Sequence, residues 1–283
     1  GGGVGGLQLH GSANAIGGQT STTKWRWGKR PKEMIVADAP EGVKFALGEN
    51  PIDEEGTRSS ERPRTRMGVE DAIRRAFDSA LAYREEWEAY RRGILKTEPR
   101  KNLQMEALVE LLEGKRFIHS HGYRQDEFLT LIRLCESYGV TIKTFQHVLE
   151  GYKIADEMAK AGIGGSTFAD WWGFKLEAYD AIPYNAALMW ERGVSVSINS
   201  DSNDHARRLN IEAAKSMRYG GVDAVTALSF VTIEPARQMG IDRFTGSLQA
   251  GKDADIVVWS GSPVSIYSIV EETYVDGIKL YDR

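Results

Sequence analysis

The sequence predicts an α/β protein built as a (β/α)8 barrel of the TIM type, incomplete at its N-terminus and followed by a small β element. Two observations carry this prediction. From Lys115 onward, strand-like runs alternate with helical patterns, and the segment after residue 245 holds strands with no helix between them. Strands that alternate with helices of about 10 to 15 residues form parallel βα units. Seven strand-like runs precede residue 202, and one more would close a barrel of roughly 250 residues.

In the first half of the chain, three short runs are predicted as the second, third and fourth barrel strands, at 7–10, 22–27 and 43–47. A helical insertion follows over about 53–114. It begins with a polar stretch, 53–66, that is typical of an exposed loop. Apolar residues then recur at helical spacing in 67–92, and a second helix is predicted at 103–112, ended by Gly114.

In the second half, the fifth to eighth strands are predicted at 116–121, 141–148, 164–169 and 194–201. Helices are predicted between and after them, at 126–139, 151–162, 182–193, 206–219 and 222–230. This divides the chain into a barrel over 1–245 and a small separate C-terminal β segment over 246–283, which the resemblance described below assigns to a small β-sandwich. The segment contains strand-like runs at 253–261 and 271–282.

The composition excludes several classes of protein. The chain has 283 residues, 41% hydrophobic and 27% charged, which is the balance of a globular protein. Its net charge of −4 leaves no basic surplus for nucleic acid, and no apolar run approaches the roughly 20 residues that span a bilayer. The single cysteine, Cys135, excludes a cysteine-built zinc site. We therefore expect a cytoplasmic protein that acts on a small molecule, with a homo-oligomer as an open alternative.

The residues that could carry chemistry lie at strand ends. His119, His147 and Asp201 fall at or near the carboxyl ends of three predicted strands, and Lys44 lies on a fourth. Active sites of (β/α)8 barrels lie at the carboxyl ends of the strands. Imidazole and carboxylate groups are suitable ligands for zinc or a similar divalent ion. The pattern alone leaves two interpretations open, a metal site and a set of structural residues.

Several motifs resemble those of the amidohydrolase superfamily, in particular its imidazolonepropionase-like and dipeptidase-like members. They are IHSH at 118–121, FQHVLEGYKIADE at 145–157, INSDSNDHARRLNIEAAK at 198–215 and GSLQAGKDADIVVWSGSP at 246–263. The resemblance implies a metal-dependent hydrolase of C–N bonds that uses one or two divalent ions, with zinc expected. It implies His119, His147 and Asp201 as metal ligands, and Asp201 as general base and then acid. Lys44 would bridge two ions as a carboxylated lysine, with Glu49 in reserve.

The resemblance also carries alternatives and a departure. Members of the family have an H-x-H motif at the end of the first strand, whereas the H-x-H here, His119 to His121, lies on the fifth. The first strand is therefore expected upstream of Gly1, with an open edge between 7–10 and 194–200, and the chain by itself is expected to be inactive and prone to associate. A ring deaminase and a catalytically silent scaffold remain open as alternatives. Candidate substrate contacts are His121, Trp171, Trp172 and His205.

Overall fold

The computed structural model describes residues 4–9, 11–52, 63–171 and 173–283. Within these ranges the strands form three sheets, and the largest has six strands. Its members are β2 (Ile16–Gln19), β4 (Glu41–Ala46), β5 (Arg116–His121), β6 (Ile142–Gln146), β7 (Gly164–Thr167) and β8 (Val196–Ile198), paired in that order. Strands β4 to β8 are parallel, and β2 pairs antiparallel with β4. The prediction of an α/β fold with a parallel sheet is confirmed.

The helices that cover this sheet follow its strands in the expected alternation. They are α2 (Arg66–Arg91), α3 (Leu103–Leu112), α4 (Gln125–Tyr138), α5 (Ala155–Ala161), α6 (Asn185–Glu191), α7 (Leu209–Gly220), α8 (Ala224–Ser229) and α9 (Ile233–Met239), with the short α1 (Pro31–Met34) before β4. Helix α2 begins at Thr65, whose hydroxyl accepts a hydrogen bond from the Gly68 backbone N–H at 3.0 Å. Among the described helices, none combines the length and the apolar character needed to cross a bilayer.

The core lies between the outer face of the sheet and these helices. Phe45 on β4 and Phe145 on β6 are fully buried. The Phe45 ring lies 5.9 Å from Phe77 of α2, and the Phe145 ring lies 4.3 Å from Phe128 of α4. Burying a phenylalanine stabilises a fold by about 1.5–3 kcal/mol. Because alternate residues of a strand face opposite sides, this packing turns the neighbouring Lys44 to the inner face.

Two of the predicted barrel strands are not part of the main sheet. The segment predicted at 7–10 overlaps β1 (Gly5–Gln8) at two residues, and the segment predicted at 22–27 overlaps β3 (Ser21–Lys24) at three. These two strands pair antiparallel as a separate sheet, with Gly5 opposite Lys24 and Gln8 opposite Ser21. Residue 10 lies outside the described ranges. An apolar pattern predicts extended backbone but does not select its partner, so the numbering of these runs as second and third parallel strands was wrong.

The antiparallel edge of the main sheet comes from a glycine-containing segment without a clear strand pattern. Gly18, with φ of 150°, lies beside a shift in the pairing of β2 with β4, and the Thr20 N–H donates to the Gly42 carbonyl at 2.9 Å. The strand around Leu7 therefore does not border the expected gap. At the opposite end of the sheet, the Ile198 N–H of β8 donates to the Phe230 carbonyl at 3.0 Å. No pairing joins β2 and β8 within the described residues.

The C-terminal segment forms the third sheet, in the order β11, β10, β9. Strand β9 (Ile256–Trp259) agrees with its prediction, whereas the run at 271–282 divides into β10 (Val270–Val275) and β11 (Ile278–Asp282). The division occurs at Asp276 and Gly277, which both have positive φ, of 52° and 77°. Helix α9 was not predicted. Its Pro235 lies within the first turn, where a proline is tolerated. The polar loop predicted at 53–66 lies largely outside the described residues, and the division into two domains stays a prediction.

An ion cluster with a buried lysine at its centre connects the N-terminal and C-terminal sheets. Lys24 of β3 places its Nζ 2.5 Å from Asp253, 2.8 Å from Asp255 and 2.7 Å from Asp276. The Lys24 side chain is 4% exposed, and that of Asp255 is 1% exposed. Burial lowers the pKa of Lys24, but the hydrogen bonds to the three carboxylates outweigh it and raise that pKa overall.

Candidate active site

A cavity of about 1060 Å³ lies on the inner face of the main sheet. The walls are completed by residues 4–9, 11 and 12, the end of β3, the C-terminal sheet and the helices α8 and α9. Five of the predicted site residues line it: Lys44, His119, His121, His147 and Asp201. A concave site with a few converging polar groups is the usual form of a small-molecule site, and this one is at the upper end of the common size range.

The parallel register explains why these side chains lie together. Lys44 of β4 is directly beside His119 of β5, and His119 is directly beside Thr144 of β6. Neighbouring strands are about 4.8 Å apart, so the three side chains form a row on the inner face. The next row contains His121 of β5 beside Gln146 of β6. The alternation seen in the sequence therefore places the polar residues of successive strands in one cavity.

His119 is a buried, neutral imidazole. Its pKa falls to about 4, first because burial disfavours the charged ring and then because Lys143 and Lys44 repel it. Its Nδ1 atom is buried and has no hydrogen-bond partner among the described residues. A neutral imidazole carries the lone pair that a metal ligand needs. The structure thus holds His119 in the protonation state that its predicted role requires.

The side-chain amide of Asn199 orients the His147 ring. His147 follows β6 with a φ of 60°, and its Nδ1 lies 3.1 Å from Oδ1 of Asn199, whose Nδ2 donates to Ser166 Oγ at 2.7 Å. The ring stacks on Phe168 at 4.9 Å. Burial lowers the pKa of His147 to about 4, against the opposing effect of Asp201. Because Asn199 engages Nδ1, Nε2 is the nitrogen left for a ligand role.

Lys44 and Asp201 bring opposite charges to the same cavity. Lys44 is buried, and its Nζ donates to Ser12 Oγ at 3.2 Å. Burial lowers the pKa of Lys44 to about 8, and the negative charge of Asp201 opposes that shift. Asp201 follows β8 in an exposed turn with a φ of 43°. A lysine that loses its proton readily is the kind of residue that can be carboxylated or can act as a base.

The side chains in the cavity carry ligand atoms that suit a divalent ion, but these atoms lie farther apart than the ligands of one bound ion. Within the described residues, only Asp253, Asp255 and Asp276 form a group of three possible ligands with all ligand atoms within 4.8 Å of one another. The Lys24 ammonium already occupies the centre of that group, at 2.5–2.8 Å from each carboxylate. Two imidazoles and a carboxylate are a common zinc set. An ion that bound His119, His147 and Asp201 together would draw their ligand atoms closer than the structure holds them.

Comparison with known proteins identifies the family. The family model described as "Amidohydrolase family" matches residues 184–279. The chain is 34% identical to an amidohydrolase of known structure from Thermotoga maritima, with a TM-score of 0.89 over 99% of this chain and 72% of that one. The chain belongs to the amidohydrolase family. The amidohydrolase tasK of Hapsidospora irregularis is 29% identical over 297 residues, which cover 98% of this chain and 30% of that protein.

A further relative is similar over a shorter stretch of the chain. The N-substituted formamide deformylase of Arthrobacter pascens is 30% identical over 148 residues, which cover 45% of this chain and 27% of that protein. The matched stretch covers less than a third of the length of either curated relative.

Two of the predicted substrate contacts lie behind the site. Trp171 and His205 contact each other, with Trp171 Nε1 donating to His205 Nδ1 at 3.2 Å, and neither is among the residues that line the cavity. Trp171 stacks on Phe168 at 4.5 Å, and Phe168 stacks on His147. Trp171 therefore supports the His147 ring through Phe168. Trp172 lies outside the described residues, and the roles of all the predicted site residues in this amidohydrolase stay predictions.

His121 has a polar neighbour that no sequence pattern indicated. Its Nε2 lies 2.9 Å from Nδ2 of Asn50, which follows β4 and also lines the cavity. Its ring meets Tyr123 edge-on at 4.8 Å and His147 at 5.0 Å. Glu49, the reserve metal ligand, forms an ion pair with Lys175 at 3.0 Å. Asn50 and Lys175 come from loops, where periodicity gives no signal.

Proposed function

We propose that this amidohydrolase is a metal-dependent hydrolase of C–N bonds in small amides, cyclic amides or dipeptide-like compounds. The observation that carries the proposal is the cavity that gathers His119, His147, Lys44 and Asp201, two of them neutral imidazoles. Family membership supports the reaction class. The deformylase relative is named for an N-substituted formamide, whose formyl C–N bond is an amide bond.

His119, His147 and Asp201 would hold a divalent ion, with zinc as our first choice, and Lys44 would serve a second ion. When bound, such an ion polarises a carbonyl and lowers the pKa of a bound water to about 7. Asn199 keeps the His147 ring in one orientation, with Nε2 toward the ligand side. Residues that orient a histidine ligand in this way raise its affinity for the metal.

Asp201 would move the proton. Its carboxylate lies at the cavity wall beyond β8, where it can accept a proton from the attacking water and return it to the leaving nitrogen. The negative charge of Asp201 acts on Lys44 and opposes the lowering of its pKa by burial. A bound ion would draw the Asp201 carboxylate toward the histidines.

The finer architecture is part of the same proposal. We infer that strands β4 to β8 are the larger part of a (β/α)8 barrel and that residues 246–283 belong to a separate small β-sandwich. Both inferences rest on the sequence resemblance and on the TM-score of 0.89 to the Thermotoga maritima amidohydrolase.

The test is hydrolysis by the protein in its natural length. Purified protein with added Zn²⁺ is assayed on N-formyl amines, N-acyl amino acids, dipeptides and cyclic amides, beside the Asp201→Asn variant. We expect metal-dependent, multiple-turnover hydrolysis that falls by about 10²–10⁴-fold in Asp201→Asn, the usual contribution of a general base or acid. Equal rates in both proteins would contradict the role of Asp201. No turnover on any substrate would favour the catalytically silent scaffold.

A further inference from the structure

The side-chain amide of Asn50 has only one orientation that its neighbours allow. The Lys175 Nζ lies 3.1 Å from one end of the amide, and His121 Nε2 lies 2.9 Å from the other. A lysine ammonium has three N–H donors and no acceptor. The end of the amide that faces Lys175 must therefore be the carbonyl oxygen, and the NH₂ group must face His121.

The orientation of Asn50 in turn determines where His121 carries its proton. An NH₂ group donates, so the ring nitrogen opposite it must accept and carries no hydrogen. Nε2 of His121 is therefore the unprotonated nitrogen, and the proton of the neutral ring lies on Nδ1. The Nδ1 atom is buried and has no hydrogen-bond partner among the described residues. A buried N–H without an acceptor costs free energy unless a bound molecule supplies one.

Lys175 is itself held from three sides. Its Nζ lies 2.6 Å from Glu177 and 3.0 Å from Glu49, and it sits 4.6 Å above the centre of the Tyr123 ring. The Glu177 side chain is 1% exposed and also pairs with Arg66 at 2.9 Å. A lysine bound by two carboxylates and an aromatic face cannot turn away from Asn50 without breaking all of these contacts. The network thus gives the amide a fixed donor on its far side.

We propose that Asn50 and Lys175 are positioning residues that hold His121 as the Nδ1–H tautomer. Asn50 occupies Nε2, so His121 is kept from binding a metal through that atom, although it lies two residues from His119 in an H-x-H sequence. His121 lines the cavity, but its Nδ1–H is buried, so an acceptor oxygen of a substrate reaches it only when neighbouring side chains move. Such a role in the reaction rests on the proposed function, whereas the tautomer does not.

The test is the tautomer of His121, read by ¹⁵N NMR of the metal-free protein labelled at its five histidines. His121→Gln identifies the His121 signals. In the wild type we expect a protonated Nδ1 and an unprotonated Nε2. Asn50→Asp inverts the tautomer, because a carboxylate only accepts and Nε2 must then carry the proton. Asn102→Asp, the same change at the cap of α3, leaves the His121 signals unchanged.

A second pair of variants tests the role of Lys175. Lys175→Met removes the donor that fixes the amide, and we expect both tautomers of His121 to appear, whereas Lys175→Arg keeps the donor and restores the wild-type signals. A wild-type His121 with its proton on Nε2 would overturn the proposal even if no variant folds. Unchanged signals in Asn50→Asp would do the same. Since the spectra need no turnover, an inactive protein with the expected tautomers would count against the proposed function alone.

Discussion

Replacing Lys24 with methionine removes the cation between the N-terminal and C-terminal sheets. Methionine keeps much of the length and apolar stem of lysine but leaves Asp253 and Asp255 without their lysine partner and Asp276 with Arg26 alone. The three carboxylates offer ligand atoms within 4.8 Å of one another, and the Asp255 side chain is 1% exposed. Both sheets also form walls of the cavity, since Lys24 and Asp255 line it.

The expected cost follows from the burial of the pair formed by Lys24 and Asp255. Removing one partner of a buried ion pair destabilises a protein by about 3–5 kcal/mol, because the remaining charge stays buried and unpaired. The same three carboxylates become a vacant cation site in the variant. A divalent cation at 100 times its dissociation constant would return about 2.7 kcal/mol of stability. Lys24→Met is therefore expected to be destabilised and to be rescued by Ca²⁺, whereas the wild type gains nothing.

The assay is urea unfolding of wild type and Lys24→Met, each with and without 10 mM CaCl₂, a concentration about 100 times a dissociation constant of ~0.1 mM, as weak calcium sites have. Arg26→Met is the matched control, because Arg26 pairs with Asp276 alone and its side chain is 29% exposed. We expect that control to lose less than about 1 kcal/mol, as exposed pairs do. A Lys24→Met protein as stable as the control, with no response to Ca²⁺, would refute the reasoning.

Three further changes test single residues. Burial raises the pKa of Glu127 from 4.5 to about 7 despite its pairing with Arg66. Protonated Glu127 therefore stabilises the folded protein fully below pH 4.5, and this stabilisation is lost as the pH rises through 7. Glu127→Gln should remove this pH-dependent loss, which amounts to about 3 kcal/mol at most. Curves of unfolding free energy against pH that run parallel in the wild type and in Glu127→Gln would contradict this expectation. Lys44→Ala should lose one metal and most activity, and full metal content by elemental analysis would assign the bridging role to Glu49 or to no residue. Asn199→Leu should weaken Zn²⁺ binding by about 10–100-fold while Asn199→Asp retains most of it, and equal affinities would show that Asn199 does not orient His147.

The sequence was sufficient where a local pattern determines the structure. The period-2 alternation of 116–121 placed His119 and His121 on the inner face, and the helical spacing of Ile73 and Phe77 located α2 to within one residue at each end. Parallel strands in chain order then brought His147 and Asp201 to the same cavity without further information. These elements lie next to their partners along the chain, so pattern and topology agree.

The sequence did not predict the contacts between segments that are far apart along the chain. The β1 and β3 segments have strand patterns, but their pairing with each other depends on the glycine-containing chain reversal between them. Lys24 contacts carboxylates that follow it by 229 to 252 residues, and Asn50 contacts His121 at a separation of 71. Trp171 packs on Phe168 behind the cavity, and two adjacent tryptophans in a sequence do not distinguish a cavity wall from core packing. Such contacts depend on how loops pack in three dimensions, and no periodicity encodes them.

Zinc titration into the metal-free protein of natural length, followed by calorimetry, tests the central claim most directly. The account predicts at least one bound Zn²⁺ per chain in the wild type and a loss of at least tenfold in zinc affinity in His119→Ala and in His147→Ala. His205→Ala should bind zinc like the wild type, because the His205 ring lies against Trp171, away from the cavity lining. Unchanged zinc binding in both His119→Ala and His147→Ala would contradict the assignment of this cavity as the metal centre.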